Sequence, residues 1–189
     1  TLVGGGIAML ANLFLFPSWE FMTVYDSVLD TLASNRVYLK NIEKVYDGKL
    51  MDIEDYKLSR KNSFLAMGEL NAAFQRMTQE PKNKRKYFSE IYDIVVLANT
   101  FLSSLASLGT FVRKHELYEH SDQFSVFVVN IVDNLTNARQ VIRGQEMSII
   151  HEENEIIEAK NSFEKKFQEL THKYDKIAVG ISIKPTYTR

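Results

Sequence analysis

The 189-residue chain has no cysteine, three prolines, eight glycines and almost no net charge: 23 Lys and Arg against 24 Asp and Glu leave −1. Without cysteine there is no disulfide framework, zinc knuckle, iron–sulfur ligation or thiol nucleophile. Glycine and proline together are few for an all-β protein and usual for a helical one. The neutral balance lacks the basic footprint of a duplex-binding protein, so no nucleic-acid partner is expected. What is present is 45% apolar and 25% charged, which is not the composition of a disordered chain. The length suits one domain with a sizeable core, with or without an appendage.

Charge is also missing locally. The stretch LVGGGIAMLANLFLFPSW has none, and the first charged residue is Glu20. A signal peptide would need a basic leader and a small-residue cleavage site, and neither is there. A greasy core helix of a soluble domain remains open, because runs of ~10–14 apolar residues often are that. The end of a transmembrane helix fits if the chain extends upstream, as Thr1 in place of an initiator Met implies. Gly4, Gly5 and Gly6 would weaken a soluble helix by ~1 kcal/mol each. Small residues are better tolerated where membrane helices pack closely. Trp19 stands where an interfacial anchor would stand. The preferred reading is therefore the end of a truncated transmembrane helix over 1–17 and a helical domain over 18–189. Pro17 and Trp19 mark the membrane edge, and the lipid bilayer is the first expected partner. The charges that follow (Glu20, Asp26, Asp30, Arg36, Lys40) set no orientation.

The remainder reads as an all-α, antiparallel bundle of about five long helices. Phe21, Val24, Tyr25, Val28, Leu29, Leu32, Leu39, Ile42 and Val45 recur in steps of three and four, and Gly48 is the expected stop. Asp52 is the expected cap of a second helix carrying Ile53, Tyr56, Phe64, Leu65, Leu70, Phe74 and Met77, closed by Pro81. The third carries Phe88, Ile91, Val95, Leu102, Leu105, Leu108 and Val112. Its nearly uncharged middle predicts the most buried helix, and is a weak membrane candidate. Ser121 or Asp122 caps a fourth, with Phe124, Phe127, Val128, Ile131, Val132, Leu135 and Ile142 inward, and Gly144 ends or bends it. A last helix carries Ile149, Ile156, Phe163, Phe167, Leu170 and Tyr174. The tail IAVGISIKP predicts a short extended segment.

Candidate sites are few. The basic loop of Lys82, Lys84, Arg85 and Lys86 reads as a solvated connection before it reads as a headgroup contact. HELYEH spaces His115 and His120 five apart, which points their imidazoles ~140° away from each other on a helix and is not the zincin pattern. His151 and Glu155 share a helical face, but no second His is nearby in the sequence. Asn134-Leu135-Thr136 matches a glycosylation sequon in mid-helix. No phosphate loop and no nucleophile elbow is present. No catalytic residue, metal ligand or cofactor site is therefore expected, and the chain is not expected to be an enzyme.

Two stretches resemble a known family: GGGIAMLANLFLFPSWE with LASNRVYL, and SRKNSFLAMGELNAAFQRMTQEP with LANTFLSSLASL. Together they resemble the fusaric acid resistance (FUSC-type) family of bacterial inner-membrane proteins, which includes aromatic acid exporter-like proteins. The matching positions are Pro17, Trp19, Tyr38, Leu39, Arg60, Glu80 and Pro81, over roughly residues 1–115. The resemblance implies a polytopic inner-membrane efflux protein in which this chain is the end of the last membrane helix plus a cytoplasmic domain. Its expected partners are its own upstream membrane domain and a second copy of itself, and its expected role is assembly or gating. No site residue carries over from the family. One alternative is a domain that holds an organic anion between helices before export, with Arg60, Arg76 and Arg113 as candidates because a guanidinium suits a carboxylate. The other is a soluble interaction bundle in which residues 1–16 pack against Phe21 and Val28.

Overall fold

The computed structural model describes residues 3–7, 20–48, 53–81, 85–114, 122–147 and 153–182. All of its regular structure is helical: α1 (described over 3–7), α2 (Glu20–Tyr46), α3 (Ile53–Gln79), α4 (Phe88–Lys114), α5 (Asp122–Ile142) and α6 (Glu153–Ser182). At 27 residues each, α2, α3 and α4 are rods ~40 Å long. The all-α bundle read from the sequence is what forms. Pro17 and Trp19 lie outside the described residues.

The stops follow local chemistry. Gly48 ends α2 at φ +64°, with its amide on the Val45 carbonyl. Gly144 ends α5 at φ +71° in a Schellman motif: Gln145 N–H donates to Gln140 and Gly144 N–H to Val141. At the end of α3, Arg85 folds back and donates to the carbonyls of Thr78 and Glu80, with its guanidinium over the Phe88 ring. That basic residue caps a helix rather than extending into solvent. Lys82 and Lys84 lie outside the described residues, as do His115, His120, His151 and the 183–189 end of the tail.

The hub is α2, which packs on α3, α4 and α5; α3 packs on α4, and α6 packs on α5. Cross-helix pairs give the directions. Thr31 bonds the Ala66 carbonyl, Tyr38 meets Tyr56, and Asn41 bonds the Asp55 carbonyl, so α3 runs antiparallel to α2. Asn71 and Asn99 exchange hydrogen bonds between antiparallel α3 and α4, and Arg36 reaches Thr136 across antiparallel α2 and α5. The core gathers Val24, Leu39, Ile42, Leu70, Met77, Leu102, Leu105 and Val128, all nearly solvent-free.

Four sequence expectations are corrected. First, α4 is not the most buried helix. It lies at the margin, against α2 and α3, and only 28% of its most apolar 18-residue window is buried. Val96, Leu97 and Phe111 face out. By length and composition α4 is the one described helix apolar enough to cross a membrane. Second, Ile53, Phe64 and Leu65 are exposed on α3. The inward stripe is Tyr56, Ser59, Ser63, Ala66, Met67, Leu70, Ala73 and Met77, because small residues let α3 approach α2 closely. Third, residues 177–182 continue α6 as helix. Propagating an existing helix adds a hydrogen bond per residue, which outweighs so short and weak an alternation. Fourth, Phe163 and Phe167 remain more than half exposed, since α6 has α5 as its described support.

One close approach locks three helices. The Tyr38 and Tyr56 hydroxyls lie 3.2 Å apart inside the bundle. A Cβ on Gly109 would come within 2.5 Å of the Tyr56 oxygen and 2.9 Å of the Tyr38 oxygen. Gly109→Ala gains ~1 kcal/mol of helix propensity, but both rings are buried and cannot swing aside. We expect a net loss of about 1–3 kcal/mol from overpacking, read as a lower urea midpoint. Adding Tyr56→Phe, which removes the nearest atom, should recover part of that loss; no recovery would mean that the clash is not the cause.

Candidate functional site

Tyr56 is the floor of the site, and Tyr38 meets it from within the bundle. Tyr56 is 2% exposed and Tyr38 fully buried, their rings tilted at 5.6 Å. Tyr38 is held well above the ordinary tyrosine value of 10.0, first by burial and then by its hydrogen bond to Tyr56. The positive charges of Arg60 and Arg113 pull the other way, which places both guanidiniums within electrostatic reach of the pair.

Above the floor is an open pocket of about 320 Å³ lined by Tyr56, Lys57, Arg60, Lys61, Phe64 and Arg113. That is the lower end of the size of small-ligand sites. Positions 57, 60, 61 and 64 share one face of α3 by their three- and four-residue steps. Arg113 comes from the last turn of α4, four residues after Gly109, so the close approach at Gly109 delivers it. Its guanidinium lies over the Tyr56 ring at 5.3 Å, and that of Arg60 over Phe64 at 5.6 Å. Each stacking contact orients a fork of N–H donors and leaves its edge free for an anion. Among the described residues, four cations and no carboxylate line the pocket.

Of the three arginines singled out in the sequence, Arg60 and Arg113 are brought together. Arg76 is not. It lies 16 residues along α3 from Arg60, ~24 Å at 1.5 Å per residue, and lines no part of this pocket. Sequence reasoning missed Lys57, Lys61, Tyr56 and Phe64 as site residues, although the spacing of Lys57, Arg60, Lys61 and Phe64 was a readable signal of one cationic face. Among the described residues no group of three or more His, Asp or Glu could hold a metal ion. Asn134 is exposed on α5 and its amide donates to Asn130.

Two apolar hollows lie elsewhere. One, of about 270 Å³, sits between the start of α2, the start of α4 and the end of α5, around Val28, Tyr87 and Ile142. The other, of about 150 Å³, lies between Tyr46, Phe111, Phe124 and Phe163. Glu90, Tyr25 and Tyr87 border the first, and the second is lined by aliphatic and aromatic residues.

No family model and no solved structure matches the chain. An uncharacterized protein of Haemophilus influenzae is 26% identical over 125 residues, covering 66% of this chain and 17% of that protein. The inner membrane protein YccS of Escherichia coli is 25% identical over 109 residues, covering 58% of this chain and 15% of its own length. The protein ORF2 of Neisseria gonorrhoeae is 26% identical over 82 residues, 43% of this chain and 20% of its own. The chain thus spans about a fifth or less of the length of the curated relatives it matches.

The raised Tyr38 value has a consequence for stability. A proton held more tightly in the folded state stabilises that state below the unfolded-chain value near 10.0 and ceases to do so as pH rises through the folded value. The midpoint of thermal unfolding should therefore fall above about pH 10. Tyr38→Phe, although less stable throughout by about 1–2 kcal/mol because Tyr56 loses its partner, should show a shallower fall. Parallel slopes between pH 9 and 11 would count against this assignment.

Proposed function

We propose that this chain is a cytoplasmic helical domain of a polytopic inner-membrane protein of the efflux-transporter type, acting in assembly or gating and not in catalysis. The observation that carries the reading is the similarity to the inner membrane protein YccS over a segment that is 15% of that protein. A helical bundle that is a small part of a larger membrane protein is what the resemblance to FUSC-type exporters implies. The helical turn over 3–7 adds support. Val3 and Ile7 are exposed, and a Cβ on Gly4, Gly5 or Gly6 would meet nothing within 4 Å. A soluble bundle would be expected to cover such a turn. The expected partners are the bilayer, through the N-terminal segment, the protein's own membrane domain, and a second copy.

A second reading, that the domain binds an organic anion, is favoured by the convergence of Arg60 and Arg113 in one pocket.

Fractionation tests the first reading. The full-length protein should sediment with the inner membrane, and residues 20–189 expressed alone should be soluble and strongly helical by circular dichroism. A full-length protein recovered in the soluble fraction would overturn it.

A further inference from the structure

We propose that the pocket between the start of α3 and the end of α4 is a binding site for a small, multiply charged phosphate-type anion, and that the ligand is a soluble effector of the domain. The described lining supplies Lys57, Arg60, Lys61 and Arg113, a formal +4, with no acid among the described residues that line it. Among the described residues, none of the four takes part in an ion pair. Repulsion among four clustered cations is relieved by one di- or trianion, whereas a monocarboxylate would neutralise a quarter of the charge. The donor set matches: two guanidinium forks suit bidentate contacts to phosphate oxygens, and two lysines act as mobile point charges. Stacking of Arg113 on Tyr56 and Arg60 on Phe64 holds both forks in place before a ligand arrives, which reduces the ordering cost of binding.

The shape narrows the choice further. The pocket is open on its outer side, and its aromatic rings are already covered by the two guanidiniums, so an aromatic ligand ring would find little apolar surface to enter. A compact, strongly charged group finds all four partners.

Phosphate chemistry could come from a lipid headgroup or from a free anion. The position favours the free anion. Tyr38, the hydrogen-bond partner of the pocket's Tyr56, stands ~27 Å along α2 from Glu20. The pocket therefore lies far from the start of α2, to which the N-terminal segment is joined. This choice of source rests on the proposed membrane attachment at that segment; the charge argument does not.

The test uses the full-length protein in detergent, with pyrophosphate, inorganic phosphate and benzoate as probes, followed by calorimetry and by thermal unfolding at fixed ionic strength. Vesicles containing phosphatidylglycerol, set against neutral vesicles, form the lipid arm. Pyrophosphate should bind saturably and raise the unfolding midpoint, phosphate more weakly, and benzoate not measurably. Arg60→Gln and Lys61→Gln should each weaken pyrophosphate by about tenfold or more, the size expected for one charge-assisted contact. Arg76→Gln should leave it unchanged. Arg113→Gln also removes packing on Tyr56, so the exposed Lys61→Gln keeps the test decisive if that variant unfolds. No saturable binding of pyrophosphate, binding by Lys61→Gln and Arg60→Gln as tight as that of the unsubstituted protein, or benzoate binding as tight as pyrophosphate would overturn the proposal. Binding to anionic vesicles without binding to free pyrophosphate would overturn the soluble-effector assignment. A protein that binds pyrophosphate but is absent from the membrane would overturn the function proposed above and leave the site standing.

Discussion

The meeting of two tyrosine hydroxyls against a glycine is the contact on which the rest of this bundle turns. Tyr38 of α2 and Tyr56 of α3 bring their oxygens to 3.2 Å, and α4 lies against both only because Gly109 presents no side chain there. Any Cβ would push α4 away from both. With α4 held close, Arg113, one turn further on, lands over the Tyr56 ring, and Arg60, one turn after Tyr56, stands beside it. The packing contact and the cationic pocket are thus one construction seen from its two sides. The same proximity explains why two positive charges act on the Tyr38 hydroxyl while burial keeps it protonated.

That junction belongs to a longer polar seam. Along α2, Thr31, Asn35, Tyr38 and Asn41 are all buried, and three of them pair across to α3. Each such bond is worth little net, but leaving one unmade in the interior is costly. The seam therefore acts as a register: sliding α3 along α2 by one turn would break all three pairings together. Apolar packing by Leu70, Met77 and Ile42 supplies the larger driving force, and it tolerates sliding far better.

The margins have different physics from the hub. Helix α4 turns Ile91, Val95, Leu102 and Leu105 inward, yet leaves Val96, Leu97 and Phe111 in the open. Helix α6 rests on α5 with Ala159 buried and Phe167 exposed. Apolar surface left open at these margins is what other parts of a larger protein would cover. This agrees with the proposed setting in a polytopic membrane protein.

Much of the architecture was legible in one dimension. Helical periodicity, the glycines at 48 and 144, Asp122 and Pro81 placed the elements, because caps and periodicity are local properties of the chain. Legibility failed where phase depended on a neighbour. Phe64 and Leu65 are larger and more apolar than Ser59 and Ser63, yet the serines face inward, since small residues are what permits α3 to lie close to α2. The uncharged centre of α4 could not reveal that its support was one-sided. Of the arginines, composition and type selected three candidates and could not separate them. Arg60 and Arg113 stand 53 positions apart in the sequence and share a pocket, while Arg76, only 16 from Arg60, is about 24 Å away on the same rod. The sequence by itself determined that the chain would be helical and where helices would stop. Only the tertiary structure decided which cations would meet, because a helix sets the direction of a side chain locally, whereas convergence depends on how close two helices can pack.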